Sequence, residues 1–242
     1  LKIENPLHTA VEHGDEEIVK LLLSNSAIKV NDILEYHDHG KYGSYHIEKT
    51  ALNLAIENGY TKIVELLLNH REIDVNQICR HNDGSYGFPH WHDRYFEKIA
   101  LIIAVEKENY EIVQLLLNHP KIDVNIVSRY HDFIYYGYQG SKGDEYQERT
   151  ALQIAVIKNN IKIIQLLLNH PQIEVNSHFI SYRYNYNKES EQKFKTNSYS
   201  RDESFYYDDK FDFFDIIIDD KQKTIGPRHI RRFDVFKKID FS

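Results

Sequence analysis

Apolar residues recur along the chain in four blocks that share the same internal spacing. In each block an alanine is followed 11 residues later by Leu-Leu-Leu and 21 residues later by an asparagine. In the second block, Leu52, Ala55 and Ile56 have helical spacing, and a second apolar face follows Gly59. Each block therefore predicts two short helices and a turn, and the chain is predicted to be a repeat protein. The blocks span residues 5–31, 50–76, 99–125 and 150–176.

Residues that start and stop helices stand at matching places in the blocks. Thr50 is an expected N-cap, and Asn5 is one before a proline at the first helical position. A left-handed residue is expected after the first helix of each block, where Glu108 of the third block departs from the other three. Those three are Gly14, Gly59 and Asn159.

The second residue after each Leu-Leu-Leu run is also placed to stabilise a helix end. We expect these side chains to hydrogen-bond the last open carbonyls of the second helix, at the negative end of its dipole. This structural role is preferred to metal binding. The residues are Asn25, His70, His119 and His170.

The blocks resemble ankyrin repeats. The run from Asn5 to Ala10 is close to that family's T-P-L-H-x-A pattern, and the run from Glu17 to Leu23 matches its second helix. The resemblance implies a solenoid of stacked helix pairs, because a pair this short cannot bury its apolar face alone. It covers the four blocks, although the proline and histidine of the pattern occur only in the first, and Ile99 replaces the capping threonine in the third.

The spacing between the blocks is longer than in an ordinary ankyrin array. Successive blocks are offset by 45, 49 and 51 residues, against about 33 in the family. The excess lies where the family places a β-hairpin, so the resemblance implies long fingers. The fold expected is an all-α ankyrin solenoid with hairpin or loop inserts at 32–49, 77–98 and 126–149.

The inserts carry a repeat of their own. An aspartate stands seven residues after each of the first three blocks, and a Tyr-Gly pair follows at ten or eleven residues. Asp38-His39-Gly40 and Asp83-Gly84 are typical of tight turns, because aspartate can bond its own following backbone and glycine accepts a positive φ. The inserts are therefore expected to form strands with turns at these positions.

Of the 31 aromatic residues, 29 lie outside the blocks. Three interpretations remain open: biased composition in unconstrained loops, packing of finger against finger, and a contact surface for a partner, since Tyr and Trp are enriched at binding hot spots. The third interpretation predicts a binding set. Its members are Tyr42, Tyr45, Tyr86, Phe88, Trp91, Tyr135, Tyr136 and Tyr138.

Two His-x-His pairs raise the question of a metal site. His37 with His39, and His90 with His92, would each point two rings to one face of a strand. However, the third insert offers only His131, and the chain has no cysteine cluster. The sequence therefore predicts no metal and no cofactor.

The remaining residues, 177–242, do not follow the block pattern. Tyr207, Phe211, Phe214 and Ile218 have helical spacing and predict a helix among aspartates. A segment that covers the exposed end of the last repeat is favoured over a docking motif for a partner, because solenoid ends need capping. The expected domains are thus the repeats with their inserts, 1–176, and a capping segment, 177–242.

Composition limits the classes of partner and the compartment. A net charge of −7 argues against nucleic acid, and the longest apolar run is too short for a membrane span. Cys79 is the only cysteine, so we expect an intracellular, cytoplasmic protein without disulfides. Since the chain starts at Leu1, further repeats are expected before it.

No catalytic motif is recognisable in the sequence, so we expect a protein that is not an enzyme. The leading hypothesis is a protein-interaction scaffold that binds a protein partner through the aromatic fingers and the concave helix surface. The alternatives are a permanent component of a large cytoskeletal or filament-associated assembly, and the ankyrin portion of a longer protein.

Overall fold

The computed structural model describes residues 5–40, 43–87, 90–136, 141–175, 181–186, 216–219 and 224–227. Eight helices within these ranges form four antiparallel pairs, one in each block. The first helices of the pairs are α1 (Pro6–His13), α3 (Ala51–Glu57), α5 (Ala100–Glu106) and α7 (Ala151–Ile157). The second helices are α2 (Glu16–Leu23), α4 (Thr61–Leu68), α6 (Tyr110–Leu117) and α8 (Ile161–Leu168).

The predicted caps fix the starts of the first helices. The Asn5 side chain accepts the amide of Leu7 at 2.9 Å, and the Thr50 hydroxyl accepts the amide of Asn53 at 3.1 Å. Ile99 makes no such cap. It is 3% exposed, so apolar burial replaces capping at the start of α5.

Equivalent positions of the four repeats fill one continuous core. The spaced alanines are buried, as their small side chains suit closely packed helices, and each first helix packs on the next. The buried alanines and their matching β-branched partners on the second helices are Ala10, Ala55, Ala104, Ala155, Val19, Val64, Val113 and Ile164.

The turn inside each pair uses a left-handed residue. Gly14 and Gly59 have φ of 70° and 72°, and Glu108 and Asn159 have φ of 56° and 55°. Glu108 thus adopts the conformation that its side chain disfavours. Its carboxylate accepts Lys158 Nζ at 3.3 Å and Asn160 Nδ2 at 3.2 Å, and these bonds to the next repeat offset the backbone strain.

The histidines after the leucine runs do not act as predicted. In each case the ring Nδ1 accepts a backbone amide two residues further on, at 3.3 Å for Glu72 and for Lys121. The last helix carbonyls are instead bonded by the backbone amides of His70 and His119. The predicted side-chain bond to the carbonyls is therefore wrong, because a short turn already satisfies them.

The asparagine that ends each block joins neighbouring repeats. Asn31 Nδ2 donates to the Glu72 carbonyl at 2.6 Å, and Asn31 Oδ1 accepts the Asp74 amide at 2.8 Å. Asn76 and Asn125 repeat both bonds one block further on. This pairing explains why the asparagine recurs at constant spacing.

The three inserts and Ser181–Tyr186 form one antiparallel sheet of seven strands in chain order. Three hairpins pair internally, and each also pairs with the next, for example Tyr45 opposite Asp83 and Arg94 opposite Asp132. The strands are β1 (Leu34–Gly40), β2 (Gly43–Lys49), β3 (Cys79–Gly87), β4 (His90–Lys98), β5 (Ser128–Tyr136), β6 (Ser141–Arg149) and β7 (Ser181–Tyr186).

The predicted all-α class is wrong. The inserts do form hairpins, but backbone bonds between hairpins make them a second layer of the fold rather than separate projections. Long hairpins expose unpaired strand edges, and pairing with the neighbouring hairpin satisfies those edges. The protein is a mixed α and β repeat structure, with stacked helix pairs beside a continuous antiparallel sheet.

Of the predicted turn residues, only Gly40 borders a turn, since it ends β1 directly opposite Gly43. Asp83 and Gly84 lie in the middle of β3, so that turn prediction is wrong. The Tyr-Gly pairs border the turns instead, since Gly43 begins β2 and Tyr86 is the penultimate residue of β3. Pairing across the sheet therefore prevails over the local preference of Asp-Gly for a turn.

Little of the segment 177–242 is described. Ser181–Tyr186 adds the last strand of the sheet. Two further strands, β8 (Ile216–Asp219) and β9 (Thr224–Pro227), pair as a hairpin. The helix predicted through Ile218 is wrong over residues 216–219, where a strand is found, and the rest of that prediction lies outside the described residues.

Candidate interaction surface

One face of the sheet, here called the inner face, is turned toward the first helices. The Tyr36 hydroxyl bonds the Glu12 carboxylate of α1, Lys49 pairs with Glu57 of α3, and Lys98 Nζ lies 2.6 Å from Glu106 of α5. The opposite side of the sheet is called the outer face. Residues alternate between the two faces along each strand.

The first helices themselves offer little free surface. Every residue of 51–56 in α3 and of 100–105 in α5 is buried. Only the C-terminal ends of these two helices, such as Glu57 and Lys107, remain partly or fully exposed. A partner that reaches this side of the protein therefore meets the sheet and those helix ends.

Charged residues form a row across the inner face. Arg94 Nη2 lies 3.0 Å from Asp83, and the Tyr130 hydroxyl donates to Asp132 at 2.9 Å. Burial, with that hydrogen bond second, raises the pKa of Tyr130 to about 12. Tyr45 stands in the same row, opposite Asp83, and is 41% exposed. The aspartates that recur seven residues after each of the first three blocks therefore occupy the same row across the sheet.

A buried histidine lies between this row and the helices. The His81 ring stacks on Phe96 with centroids 4.7 Å apart, and it is 8% exposed. Burial lowers the pKa of His81 to about 4. The ring is neutral near pH 7, so it contributes to packing and not to the charge of the surface.

The outer face carries a second row, in which charge alternates from strand to strand. Arg129 lies 2.9 Å from Glu97 and 3.3 Å from Glu148, while Arg80 lies 4.0 Å from both Glu48 and Glu97. We call Glu48, Arg80, Glu97, Arg129 and Glu148 the charge ladder.

Two tyrosines form hydrogen bonds to glutamates of the charge ladder, each within a single strand. The Tyr95 hydroxyl donates to Glu97 at 2.7 Å, and that of Tyr146 donates to Glu148 at 2.7 Å. Burial and these bonds raise the pKa of both tyrosines. Each of these contacts joins two residues of one strand, so neither of them is a contact between two fingers.

The predicted binding set is only partly described. Tyr42, Phe88 and Tyr138 lie outside the described residues. The backbones of four others lie in strands, and three of these, Tyr86, Trp91 and Tyr135, occupy directly opposed positions on β3, β4 and β5. Tyr136 ends β5 opposite His90. Tyr45 is the one member whose side chain is described.

The register places His37 and His39 on the outer face and His90 and His92 on the inner face, so each pair shares one face, as its spacing predicted, but the two pairs do not meet. His37 instead faces His46 of the same hairpin, with Nδ1 atoms 3.0 Å apart. Within the described part of the chain, one group offers three metal-ligand atoms within 4.8 Å of one another, from Glu35, His37 and His46. His46 was not among the predicted metal-binding histidines, although it lies directly across the hairpin from His37 once the register is known.

Paired helices, left-handed turns, asparagine bridges between units and a sheet shared by the hairpins define the class of the protein, a repeat protein of mixed α and β structure. A family model described as ankyrin repeats (3 copies) matches residues 2–79, 30–128 and 81–179. The chain belongs to the ankyrin-repeat family, as its residues suggested, and such repeats generally mediate protein–protein interaction and are typically not enzymes. No curated protein gave a significant match.

No helix in the described ranges is long and apolar enough to cross a membrane.

Proposed function

We propose that this chain is a non-enzymatic scaffold that binds a protein partner on the inner face of the sheet and on the adjacent ends of the first helices. The observation that carries the proposal is the continuity of the sheet beside the buried helices α3 and α5. Partly exposed side chains of three hairpins, from Tyr45 to Glu145, then form one uninterrupted surface. A rigid surface of this kind needs little ordering when a partner binds.

The charges in the row suggest the chemistry of the partner. Among the side chains that the structure describes, Asp83, Asp132 and Glu145 contribute three carboxylates and Arg94 one guanidinium. The register adds Asp38 at one end of the row and Arg183 at the other, so acids still outnumber cations. Tyr45 adds an exposed aromatic ring. We therefore propose a partner segment with basic and apolar side chains, since interfaces match opposite potentials.

The aromatic residues near the hairpin turns belong to the same proposal. Tyr86, Trp91 and Tyr135 are opposed across three strands, and we propose that they and the other members of the predicted set extend the contact toward the tips of the fingers. Tyr and Trp supply large contact areas at small entropic cost.

Site-specific photo-crosslinking tests the location of the surface. A photoreactive residue at Tyr45 should capture the partner, whereas one at Lys62, an exposed position on α4, should not. A partner identified in this way should then bind the triple variant Tyr42→Ser, Tyr86→Ser, Tyr136→Ser at least about tenfold more weakly, with unchanged helical circular dichroism. Equal capture at both positions would contradict the location, and unfolding of the triple variant would favour a packing role.

We further propose that residues 177–242 cap the last repeat. Ile157 and Ile161 at that end of the helix layer are 54% and 46% exposed, and a solenoid end needs a cover. Removal of 187–242, which keeps the last strand, should lower the melting temperature and increase self-association. An unchanged melting temperature would argue against capping.

A cytoplasmic, intracellular location is likewise proposed. It is supported by the single cysteine, Cys79, which is free and buried.

A further inference from the structure

The first hairpin differs from the other two at positions that are equivalent in register. Opposite the acid of the second strand, it has Glu35 where the later hairpins have Arg80 and Arg129. Two residues further toward the turn, His46 replaces the tyrosines that fasten the charge ladder, Tyr95 and Tyr146. The two strands of the first hairpin thus each carry one residue that differs in chemistry from its equivalents in the later hairpins.

The first change leaves the charge ladder without a cation at this end. Glu35 is directly opposite Glu48, so two carboxylates face each other where the later hairpins pair an acid with an arginine. Like charges at directly opposed positions destabilise a sheet. A cation bound beside them would restore the alternation.

The second change places two imidazole rings where that cation would bind. His37 Nε2 lies 3.1 Å from a Glu35 oxygen, and His46 Nε2 lies 3.4 Å from a Glu48 oxygen. A carboxylate accepts hydrogen bonds, so each Nε2 carries the hydrogen and each Nδ1 of a neutral ring presents a lone pair. The two Nδ1 atoms are 3.0 Å apart, a distance that requires a proton or a metal ion between them.

We propose that the first hairpin binds a divalent transition metal ion of the zinc type, with His37 Nδ1, His46 Nδ1 and a Glu35 oxygen as ligands and one position open to water. Tetrahedral zinc with bonds of about 2.0–2.1 Å holds its ligand nitrogens about 3.3 Å apart, close to the distance between these rings. Glu35, His37 and His46 each offer a ligand atom within 4.8 Å of the others, and the exposed Glu35 carboxylate would exchange its contact with His37 Nε2 for the metal ion. Imidazole ligands favour zinc over magnesium or calcium.

Glu48 of the same hairpin orients His46 and connects the site to the second hairpin. Its other oxygen accepts the backbone amide of Arg80 on β3 at 2.9 Å, and its side chain is only 12% exposed. Carboxylates that orient a ligand histidine in this way raise metal affinity. Metal binding should therefore stabilise the contact between the first and second hairpins as well as the first hairpin itself.

Zinc titration of the full chain by isothermal calorimetry tests the site, because the chain supplies its own matched controls. The wild type should bind one equivalent. His46→Tyr and His37→Asn install the residues of the second hairpin, Tyr95 and Asn82, and should each weaken binding at least about 100-fold. Glu48→Gln should weaken it about 10- to 100-fold, while His131→Asn, at the matching position of the third hairpin, should leave it unchanged.

Circular dichroism of each variant confirms that it is folded before titration. Binding that survives His46→Tyr and His37→Asn would overturn the proposal, since the ion would then be held elsewhere. A wild type that fails to bind zinc up to about 1 mM would also overturn it. In that case, imidazole nitrogen resonances that report one proton shared by the two Nδ1 atoms would identify the pair as a proton-bridged one.

Discussion

Asn76 binds the backbone of the next repeat twice, through Oδ1 to the amide of Asp123 at 2.9 Å and through Nδ2 to the carbonyl of Lys121 at 2.7 Å. A backbone amide and a backbone carbonyl are thus satisfied by a side chain 47 and 45 residues away. The same bridge occurs at Asn31 and Asn125. It connects repeats on the side where the helices end and the fingers begin.

Asn76→Ala should lower the free energy of unfolding by about 1–2 kcal/mol, because two hydrogen bonds of about 0.5–1.5 kcal/mol each are lost at a partly exposed site. Urea denaturation followed by circular dichroism measures this change. Asn69→Ala, at the exposed end of α4, is the control and should change stability by less than about 0.5 kcal/mol. Equal effects of the two substitutions would show that the bridge does not contribute.

Two glycines with the same backbone conformation should respond differently to alanine. Gly59→Ala meets no atom within 4 Å of the new Cβ, so it should cost only the left-handed strain of about 1–2 kcal/mol. Gly14→Ala carries the same strain and also places its Cβ 3.0 Å from the Tyr60 ring. We expect Gly14→Ala to be the more destabilising in thermal unfolding. The reverse order would contradict the packing of Tyr60 against that turn.

The buried His81 should make the free energy of unfolding depend on pH. Its pKa is lowered from 6.5 to about 4 in the folded chain, so between those values the unfolded chain takes up a proton that the folded chain does not. Stability should therefore fall as pH decreases from about 6.5 to about 4, by up to about 1.4 kcal/mol per pH unit. Above pH 6.5 this residue should have no effect.

The variant His81→Phe isolates that contribution. A phenyl ring can still stack on Phe96 but cannot titrate, so the acid-dependent loss should be smaller in the variant. His8, whose pKa burial also lowers, should leave a residual dependence of the same sign. Melting temperatures from pH 4 to pH 8 provide the measurement, and identical profiles for the wild type and the variant would refute the role of His81.

The charge ladder should couple neighbouring hairpins. Glu97 is 8% exposed and lies 2.9 Å from Arg129 of the next hairpin. A double-mutant cycle with Glu97→Ala and Arg129→Ala should give a coupling energy of about 0.5–1 kcal/mol, modest because Arg129 is half exposed. The coupling should decrease in high salt. A coupling energy near zero at low salt would show that the pair is only a surface contact.

The sequence predicted local structure better than it predicted the sheet. Thr50 and Asn5 act as caps because capping depends on a few neighbouring residues. Asp83 was assigned to a turn because Gly84 follows it, but its structural partners are Arg94, 11 residues away, and Tyr45 on another hairpin. Pairing between hairpins is non-local, and no short window of sequence contains it.

The same limit applies to the candidate metal site. His37 was compared with His39, its neighbour in sequence, whereas the ring that it contacts belongs to His46 across the turn. Register decides which side chains meet, and a shift of one residue would place them on opposite faces. Only the structure supplied that register.

Sheet and helices advance by the same distance along the array. Each repeat adds two strands, or about 9.5 Å of sheet width, and packed helices are spaced about 8–10 Å apart. Extra residues in an insert therefore run perpendicular to the array. The first and second inserts, of 18 and 22 residues, differ by two residues in each strand, with strands of seven and nine residues. The length of the strands can thus differ from repeat to repeat while the spacing between repeats along the array stays constant.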